Sequence, residues 1–255
     1  MEKKLDISVI SPVFNELENL ETFVESVTAV MNSTNMSWEL IIVDDGSNDG
    51  SSKILKKIGH QENIRSILLS KNYGQTTAIQ AGFDNAVGEY FVTLDSDLQN
   101  DPKDIPMLIQ KLMNEELDLV VGWRKDRKDN YFFRNLPSIL ANKLIGTITG
   151  VKLHDYGCSL KAFRAEVLKE VKLYGEMHRF IPAWMATKIP ASKISEIEVT
   201  HHPRIAGESK YGISRTFRVF VDLISVYFFM KFFSKPGHFF GLIGLLLSSF
   251  GALIL

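Results

Sequence analysis

The sequence predicts an α/β fold with a mostly parallel sheet, followed by an amphipathic helix and an apolar C-terminal segment. Short apolar runs alternate with segments of helical periodicity through residues 7–121, and residues 236–255 contain no Asp, Glu, Lys or Arg. Strands that alternate with helices form βαβ units, in which the strands lie parallel to one another. A chain of 255 residues is long enough for one such domain and an appendage.

Strands are predicted wherever a short run is apolar and rich in β-branched or aromatic residues. These runs are residues 7–10, 39–43, 64–69, 89–94 and 117–121. Helices are predicted between them, at residues 17–31, from a cap at 47–49 to about 58, at 75–86 and at 102–114. In the first helix the apolar residues recur at helical spacing, so one side of it is expected to cover the sheet.

The C-terminal part of the chain has the charge pattern of a membrane anchor. After Glu208 the one acidic residue is Asp222, while basic residues continue to Lys235. A helix over residues 236–255 would be about 30 Å long, the thickness of a hydrocarbon core. The basic residues before it would hold the preceding domain in the cytoplasm. A buried core helix is the alternative for this segment.

Residues 215–233 predict a second C-terminal helix. Its polar residues, Arg215, Arg218, Asp222 and Ser225, form one stripe on an otherwise apolar helix. Such a helix lies in a membrane interface, or else it packs on its own domain. We therefore expect a cell-membrane protein with a cytoplasmic domain at 1–212, a juxtamembrane helix at 213–235 and a transmembrane helix at 236–255 that a longer chain would continue.

The overall composition excludes several classes of protein. The formal net charge is −1, so nothing global favours nucleic acid as a partner. The single cysteine, Cys158, cannot form an internal disulfide and fits a reducing compartment. The apolar run after the N-terminus is short, which argues against a secretory signal peptide. A homo-oligomer is compatible with the sequence, but no feature of it sets a number of subunits.

Two carboxylates, Asp95 and Asp97, directly follow the strand predicted at 89–94. Strand ends in open α/β sheets face the ligand crevice, and hard oxygen ligands suit Mg²⁺ or Mn²⁺ shared with substrate phosphates. The alternative is a solvated turn, since Asp101 followed by Pro102 is typical of a helix start.

The first strand–helix turn argues against two common nucleotide folds. It contains neither Gly-x-Gly-x-x-Gly nor Gly-x-x-x-x-Gly-Lys-Ser/Thr, which weakens the nicotinamide-cofactor and ATPase hypotheses. A polar loop with Pro12, Asn15 and Glu16, next to Asp44 and Asp45 after the second strand, can still form a nucleoside pocket. Turn chemistry is the alternative role for the two aspartates.

Together these motifs resemble the family 2 glycosyltransferases of GT-A fold, a Rossmann-like α/β fold. Residues 9–16 (VISPVFNE) are similar to the family's first strand and loop, residues 43–50 (VDDGSNDG) to its nucleotide-binding loop, residues 71–75 (KNYGQ) to a further loop, and residues 95–97 (DSD) to its metal motif. The continuation LQNDP at residues 98–102 resembles the dolichyl- and polyprenyl-phosphate glycosyltransferase branch. In that branch the glutamine also binds the metal, so the resemblance implies a metal site of Asp95, Asp97 and Gln99.

Later segments agree with that branch. Residues 121–124 (VGWR) keep the family's arginine, Arg124, but depart from its usual Gly-Ser-Arg at Trp123. By resemblance Arg124, Arg134 and Ser138 would contact the acceptor phosphate, with surface solvation as the alternative for the arginines. Asp155 would orient the sugar or the acceptor, or form a structural turn. The resemblance implies a nucleotide-sugar site of Pro12, Asn15, Glu16, Asp44, Asp45, Lys71, Asp95, Arg204 and Lys210, and a catalytic group of Asp95, Asp97, Arg124 and Asp155.

The resemblance implies a hexosyltransferase that uses Mg²⁺ or Mn²⁺ and inverts the anomeric carbon. The expected partners are a UDP- or GDP-linked sugar, a polyprenyl phosphate lipid and the membrane. The Gln-x-x-Arg-Trp motif of processive synthases is missing, which favours transfer of a single sugar. Two alternatives stay open: an anchored transferase acting on a saccharide or protein, and a scaffold that binds a nucleotide sugar without turnover.

Overall fold

The structure is a computed structural model that describes residues 5–125, 145–147, 149–173, 175–203 and 214–254. Within these ranges seven strands form one sheet. They are β1 (Leu5–Val13), β2 (Trp38–Asp44), β3 (Ile64–Leu68), β4 (Gly88–Thr93), β5 (Leu119–Trp123), β6 (Lys161–Arg164) and β7 (Ile194–Glu198). Their order across the sheet is β3-β2-β1-β4-β6-β5-β7.

Helices follow most of the strands and cover the sheet. They are α1 (Leu17–Asn32), α2 (Ser51–Ile58), α3 (Gln75–Asn85), α4 (Ile105–Asn114), α5 (Ala165–Leu168), α6 (Ile181–Met185), α7 (Ser214–Phe232) and α8 (Pro236–Ile254), with single 3-10 turns at Pro102–Asp104, Met177–Phe180 and Ala191–Lys193. In α1 the buried face includes Leu20, Val24 and Val27, which recur at the predicted helical spacing.

The sheet is mostly parallel, which confirms the predicted fold class. Parallel pairs join β1 to β2 and β4, β2 to β3, and β5 to β7. One strand, β6, runs antiparallel between β4 and β5. The sequence pattern did not predict β6 or β7, because β6 has four residues including the charged Lys161, and β7 carries two glutamates on a strand of five residues.

The two C-terminal helices differ in how they contact the domain. In α7, Val226 is buried and the ring of Phe229 packs edge-on against Trp184, with centroids 5.5 Å apart, while Val221 and Ile224 stay exposed. Among the described residues α8 is the one helix long and apolar enough to cross a membrane, with a mean hydropathy of 1.8, and none of it is buried. The alternative of a buried core helix therefore does not hold for α8.

Candidate active site

Three loops with polar side chains meet at one edge of the sheet. Because β2, β1 and β4 are adjacent and parallel, their carboxyl ends lie side by side, as the sequence predicts. The hydroxyl of Ser47 accepts a hydrogen bond from the Asn15 N–H at 2.9 Å, which joins the loops after β1 and β2. The hydroxyl of Ser96 donates to the Pro12 carbonyl at 3.3 Å, which joins the loops after β1 and β4.

The two aspartates after β2 hold the loops around them. Asp45 accepts hydrogen bonds from the backbone N–H groups of Tyr73 at 2.7 Å and Gly74 at 2.8 Å. Asp44 accepts from the Ser47 N–H at 2.9 Å and from the Ser52 hydroxyl. Both are almost fully buried. These contacts support the turn role, and direct contact with a nucleoside stays a prediction.

Gly46 lets the loop after β2 pack closely against the loop after β3. Its φ is 72°, in the left-handed region, and a Cβ added there would lie 2.3 Å from the backbone carbon of Lys71. On the outer side of this contact, the Lys71 ammonium lies 5.2 Å from the centre of the Tyr73 ring. The two loops therefore form one wall, with the predicted nucleotide-binding Lys71 on its exposed side.

The loop after β1 is fixed at Asn15 and Glu16. Asn15 has a φ of 56°, which is uncommon for a residue other than glycine, and its side-chain oxygen accepts from the Asn48 N–H at 2.9 Å. The Glu16 carboxylate accepts from the Asn19 amide at 2.8 Å at the start of α1. Left-handed residues outside glycine often occur at functional sites, where the surrounding contacts hold them.

Asp95 and Asp97 lie together just beyond β4. The Gln75 amide, at the start of α3, donates to Asp95 at 2.9 Å. Asp97 accepts from the Gln99 N–H at 3.2 Å, and between them Leu98 has a φ of 59°. Burial raises the pKa of Asp95 to about 6, and the charge of Asp97 adds to the rise. The loop therefore holds two repelling carboxylates at the sheet edge.

The chemistry of this donor set fits a divalent cation. A cation between Asp95 and Asp97 would offset the repulsion that disfavours the charged form of Asp95. No cluster of three or more His, Cys, Asp or Glu residues suited to a metal occurs within the described ranges. Two carboxylates and the Gln99 amide leave coordination positions for water and phosphate oxygens, which is the usual arrangement for Mg²⁺.

Arg124 and Asp155 form a two-point ion pair. The Nε and Nη2 atoms of Arg124 donate to the two carboxylate oxygens of Asp155 at 2.7 and 3.0 Å, and the Gly157 N–H donates to one of them at 3.1 Å. Burial opposes the charge of Arg124, but the hydrogen bond and charge of Asp155 outweigh it and raise the pKa of the arginine above its usual value. The ion pair fixes the orientation of the guanidinium, which also interacts with the charge of Asp95.

Lys161 and His178 also belong to this region, and neither was among the predicted site residues. Lys161 is 3% exposed, its ammonium donates to the Cys158 carbonyl, and burial lowers its pKa. His178 Nδ1 lies 2.6 Å from the Thr76 hydroxyl, and burial, with the charges of Arg179 and Lys161, lowers its pKa to about 3. No local pattern marked Lys161, because β6 itself was not predicted, and the contact of His178 with Thr76 joins residues far apart in the sequence.

The chain that leads to Arg204 passes beside the metal motif. The His202 N–H donates to the Gln99 carbonyl at 2.8 Å, and His202 Nε2 lies 3.1 Å from the Asp101 carboxylate. Asp101 also accepts from the Lys103 N–H at 3.0 Å, as expected of a helix cap. Four predicted site residues lie outside the described residues, namely Arg134, Ser138, Arg204 and Lys210.

Comparison with known proteins agrees with this fold. The model of glycosyl transferase family 2 matches residues 8–172. The dodecaprenyl-phosphate galacturonate synthase of Rhizobium johnstonii is 56% identical over 255 residues, which cover 99% of this chain and 75% of that protein. The undecaprenyl-phosphate 4-deoxy-4-formamido-L-arabinose transferase of Aeromonas hydrophila is 38% identical over 221 residues, which cover 86% of this chain and 67% of that protein.

Solved structures support the fold. Glucosyl-3-phosphoglycerate synthase from Mycobacterium tuberculosis, in complex with uridine diphosphate, has a TM-score of 0.68 at 19% identity, over 88% of this chain and 80% of that one. The same enzyme in complex with Mn²⁺, uridine-diphosphate-glucose and phosphoglyceric acid has a TM-score of 0.67 at 18% identity, over 89% of this chain and 79% of that one. The chain is therefore a glycosyltransferase that belongs to glycosyl transferase family 2, in its polyprenyl-phosphate branch.

Proposed function

We propose that this glycosyltransferase moves one sugar from a nucleoside diphosphate to a polyprenyl phosphate at the cytoplasmic face of a membrane. The observation that carries the proposal is the pair Asp95 and Asp97 at the carboxyl edge of the sheet, in a chain 56% identical to a dodecaprenyl-phosphate galacturonate synthase. The exposed apolar helix α8 supports a membrane location. The proposed division is a catalytic domain at 1–212, a juxtamembrane helix at 213–235 and a span at 236–255.

The sugar we propose is a hexuronic acid, such as galacturonate. The support is the identity to the Rhizobium johnstonii enzyme, which is higher than that to the arabinose transferases, at 38–39%. Both uridine and guanosine diphosphates are compatible with the site. The contacts of Asp44 and Asp45 are made to the protein's own loops and do not select a base.

The acceptor phosphate oxygen is the nucleophile. A phosphate monoester has lost most of its second proton near neutral pH, so its attack on the anomeric carbon needs no strong general base. The oxygen forms a bond to that carbon as the bond to the diphosphate breaks, and the nucleoside diphosphate leaves with the electron pair. Attack from the side opposite the leaving group inverts the anomeric carbon.

Asp95, Asp97 and Gln99 would hold Mg²⁺ or Mn²⁺ beside the donor diphosphate. When bound, the cation supplies Lewis-acid stabilisation of the charge on the leaving diphosphate. Arg204 and Lys210 would add fixed positive charge beside the same diphosphate. The backbone N–H of His202, two residues before Arg204, donates a hydrogen bond to the Gln99 carbonyl.

Arg124 would place the acceptor phosphate. Its ion pair with Asp155 uses two N–H groups of a guanidinium that carries five, and another would donate to a phosphate oxygen. Arg134 and Ser138 would complete this contact. Holding the two reactants in line can supply a large part of the rate enhancement without further chemistry.

The test is a panel of nucleotide sugars offered to the membrane-embedded protein with polyprenyl phosphate and either Mg²⁺ or Mn²⁺, read by product mass. We expect one hexuronosyl residue added to the lipid phosphate with one donor of the panel. Transfer to a soluble saccharide without lipid would favour an anchored transferase of another acceptor class. Donor binding without any product would favour a scaffold, and either result would overturn the proposal.

A further inference from the structure

Trp123 and His154 stack on each other beside the arginine of the site. Their ring centres are 4.2 Å apart and their planes differ by 17°, which is a close face-to-face contact. His154 is fixed in turn by Glu196 on β7, because its backbone N–H donates to one carboxylate oxygen at 2.8 Å and its Nδ1 bonds to the other. The stack therefore joins the end of β5 to the loop before β6 and to the edge strand.

The tryptophan is not a free platform for a sugar ring. The imidazole covers one face of the indole, and the Lys125 ammonium lies 5.4 Å from the centre of the Trp123 ring. Lys125 is held there by Glu198 at 2.6 Å. His154 and Lys125, the two partners of the indole, each form an ion pair or hydrogen bond with a glutamate of β7. These contacts favour a structural role for Trp123.

The stack and the ion pair of the site link the same two segments. Trp123 precedes Arg124 and His154 precedes Asp155, so each residue of the stack is bonded along the chain to one member of the ion pair. The stack and the ion pair together constrain the relative position of these two segments more tightly than either contact alone. A single contact would still allow the segments to rotate about it. The guanidinium of Arg124 is therefore positioned by the contacts between these two segments.

We propose that Trp123 and His154 are positioning residues that hold Arg124 in the orientation required for the acceptor phosphate. The inference rests on the proposed function for the role of Arg124. It also accounts for the departure at Trp123 from the Gly-Ser-Arg pattern: the indole supplies the stacking surface that a serine lacks.

The first test compares kinetics of Trp123→Ala and Trp123→Phe with the wild-type enzyme in membranes, using polyprenyl phosphate and the active donor. Loss of a stacked aromatic pair should raise KM for the lipid phosphate about tenfold, whereas KM for the donor should change less than about twofold. Trp123→Phe keeps a ring for His154 and should restore most of the acceptor KM.

His154 offers a matched pair of variants. His154→Phe keeps the stack and removes the Glu196 contact at Nδ1, whereas His154→Ala removes both, so the alanine variant should have the larger acceptor KM. Lys172→Ala is the control, because it deletes an exposed ion pair of 2.6 Å with Asp84 away from these residues and should leave both KM values unchanged.

Equal increases in donor and acceptor KM, or no rescue by Trp123→Phe, would overturn the inference while leaving the proposed function intact. If the wild-type enzyme does not use polyprenyl phosphate, the proposed function fails, and a double-mutant cycle tests by itself whether the stack positions the ion pair of Arg124. Trp123→Ala and Asp155→Asn should then change the free energy of unfolding non-additively, because the stack and the ion pair act as one unit. Additive changes would contradict it.

Discussion

At the scale of single residues, the site contains two neighbouring carboxylates, and the charge of Asp97 disfavours the charged form of Asp95. Asp95 is next to Asp97, and burial and that neighbour raise its pKa to about 6. Arg124, which also influences Asp95, is already paired with Asp155. The residue pattern therefore favours binding of a further positive charge together with an anionic donor.

We predict that Asp97→Ala lowers the transfer rate by about a hundredfold or more, because it removes a ligand of the cation that stabilises the leaving group. Transfer is measured with saturating donor and lipid in Mn²⁺, and the unfolding midpoint is measured alongside. Asp84→Ala, which removes an exposed carboxylate paired with Lys172, should retain full activity. Full activity in Asp97→Ala would contradict the metal site.

A second prediction concerns acid stability and His178. Its pKa is about 3 in the folded protein against a usual value of 6.5, so between these values the unfolded chain binds more protons than the folded one. Its contribution to stability is therefore fully present above about pH 6.5 and is lost as the pH falls toward 3, by up to about 1.4 kcal/mol per pH unit.

His178→Gln should flatten this dependence in urea unfolding at a series of pH values, since glutamine does not titrate in that range. His60→Gln, at an exposed position, is the control and should keep the wild-type slope. The same slope in His178→Gln and wild type would show that another group causes the acid sensitivity.

At the scale of elements, the loops after β2 and β3 act as one wall because Gly46 allows their backbones to touch. We predict that Gly46→Ala destabilises the fold and weakens donor binding, because alanine there has both an unfavourable φ and a contact of 2.3 Å with backbone. Donor affinity is measured by calorimetry and stability by urea unfolding.

Gly150→Ala is the matched control for this prediction. Its φ is 74°, almost that of Gly46, but nothing lies within 4 Å of an added Cβ. It should cost about 1–2 kcal/mol for the left-handed backbone alone and leave donor affinity unchanged. Equal effects of the two variants would mean that the close approach of the loops is unimportant.

The local apolar pattern was sufficient to predict the strands and helices that alternate regularly along the chain. It was insufficient for the later strands. The strands and helices up to β5 were predicted to within a few residues, because each has the apolar periodicity of its type. β6 and β7 were missed, since a four-residue strand with Lys161 and a strand with two glutamates lack that periodicity. Their place in the sheet is set by pairing with β4 and β5.

The same limit applies to the site. The position of Asp95 and Asp97 just beyond a strand was predictable, because the strand before them and the spacing between them are local features. The contact of His178 with Thr76 and the stack of Trp123 on His154 join residues distant in sequence that only the folded chain brings together. Sequence spacing gives no measure of such contacts.

At the scale of the whole molecule, a polar site and a long apolar helix belong to one chain. α7 contacts the domain through Val226 and Phe229, and no residue of α8 is fully buried. This arrangement suits an enzyme whose donor is water-soluble and whose acceptor is a lipid. Donor binding by the domain and membrane binding by α8 can therefore be tested independently.

Deleting residues 236–255 should therefore leave donor binding intact and abolish association with liposomes, because about twenty apolar residues provide the membrane affinity. Flotation with liposomes and calorimetry with the donor measure the two properties. A truncated chain that still floats as the full chain does would assign membrane binding to α7 alone.

The central claim is that a divalent cation at the edge of the sheet joins Asp95 and Asp97 to the donor diphosphate. It is tested most directly by anomalous diffraction from crystals grown with Mn²⁺ and the nucleoside diphosphate. We predict an anomalous peak in contact with both carboxylates and with phosphate oxygens. A nucleotide bound in the site with the manganese peak elsewhere, or with both aspartates turned away from the phosphates, would contradict the account.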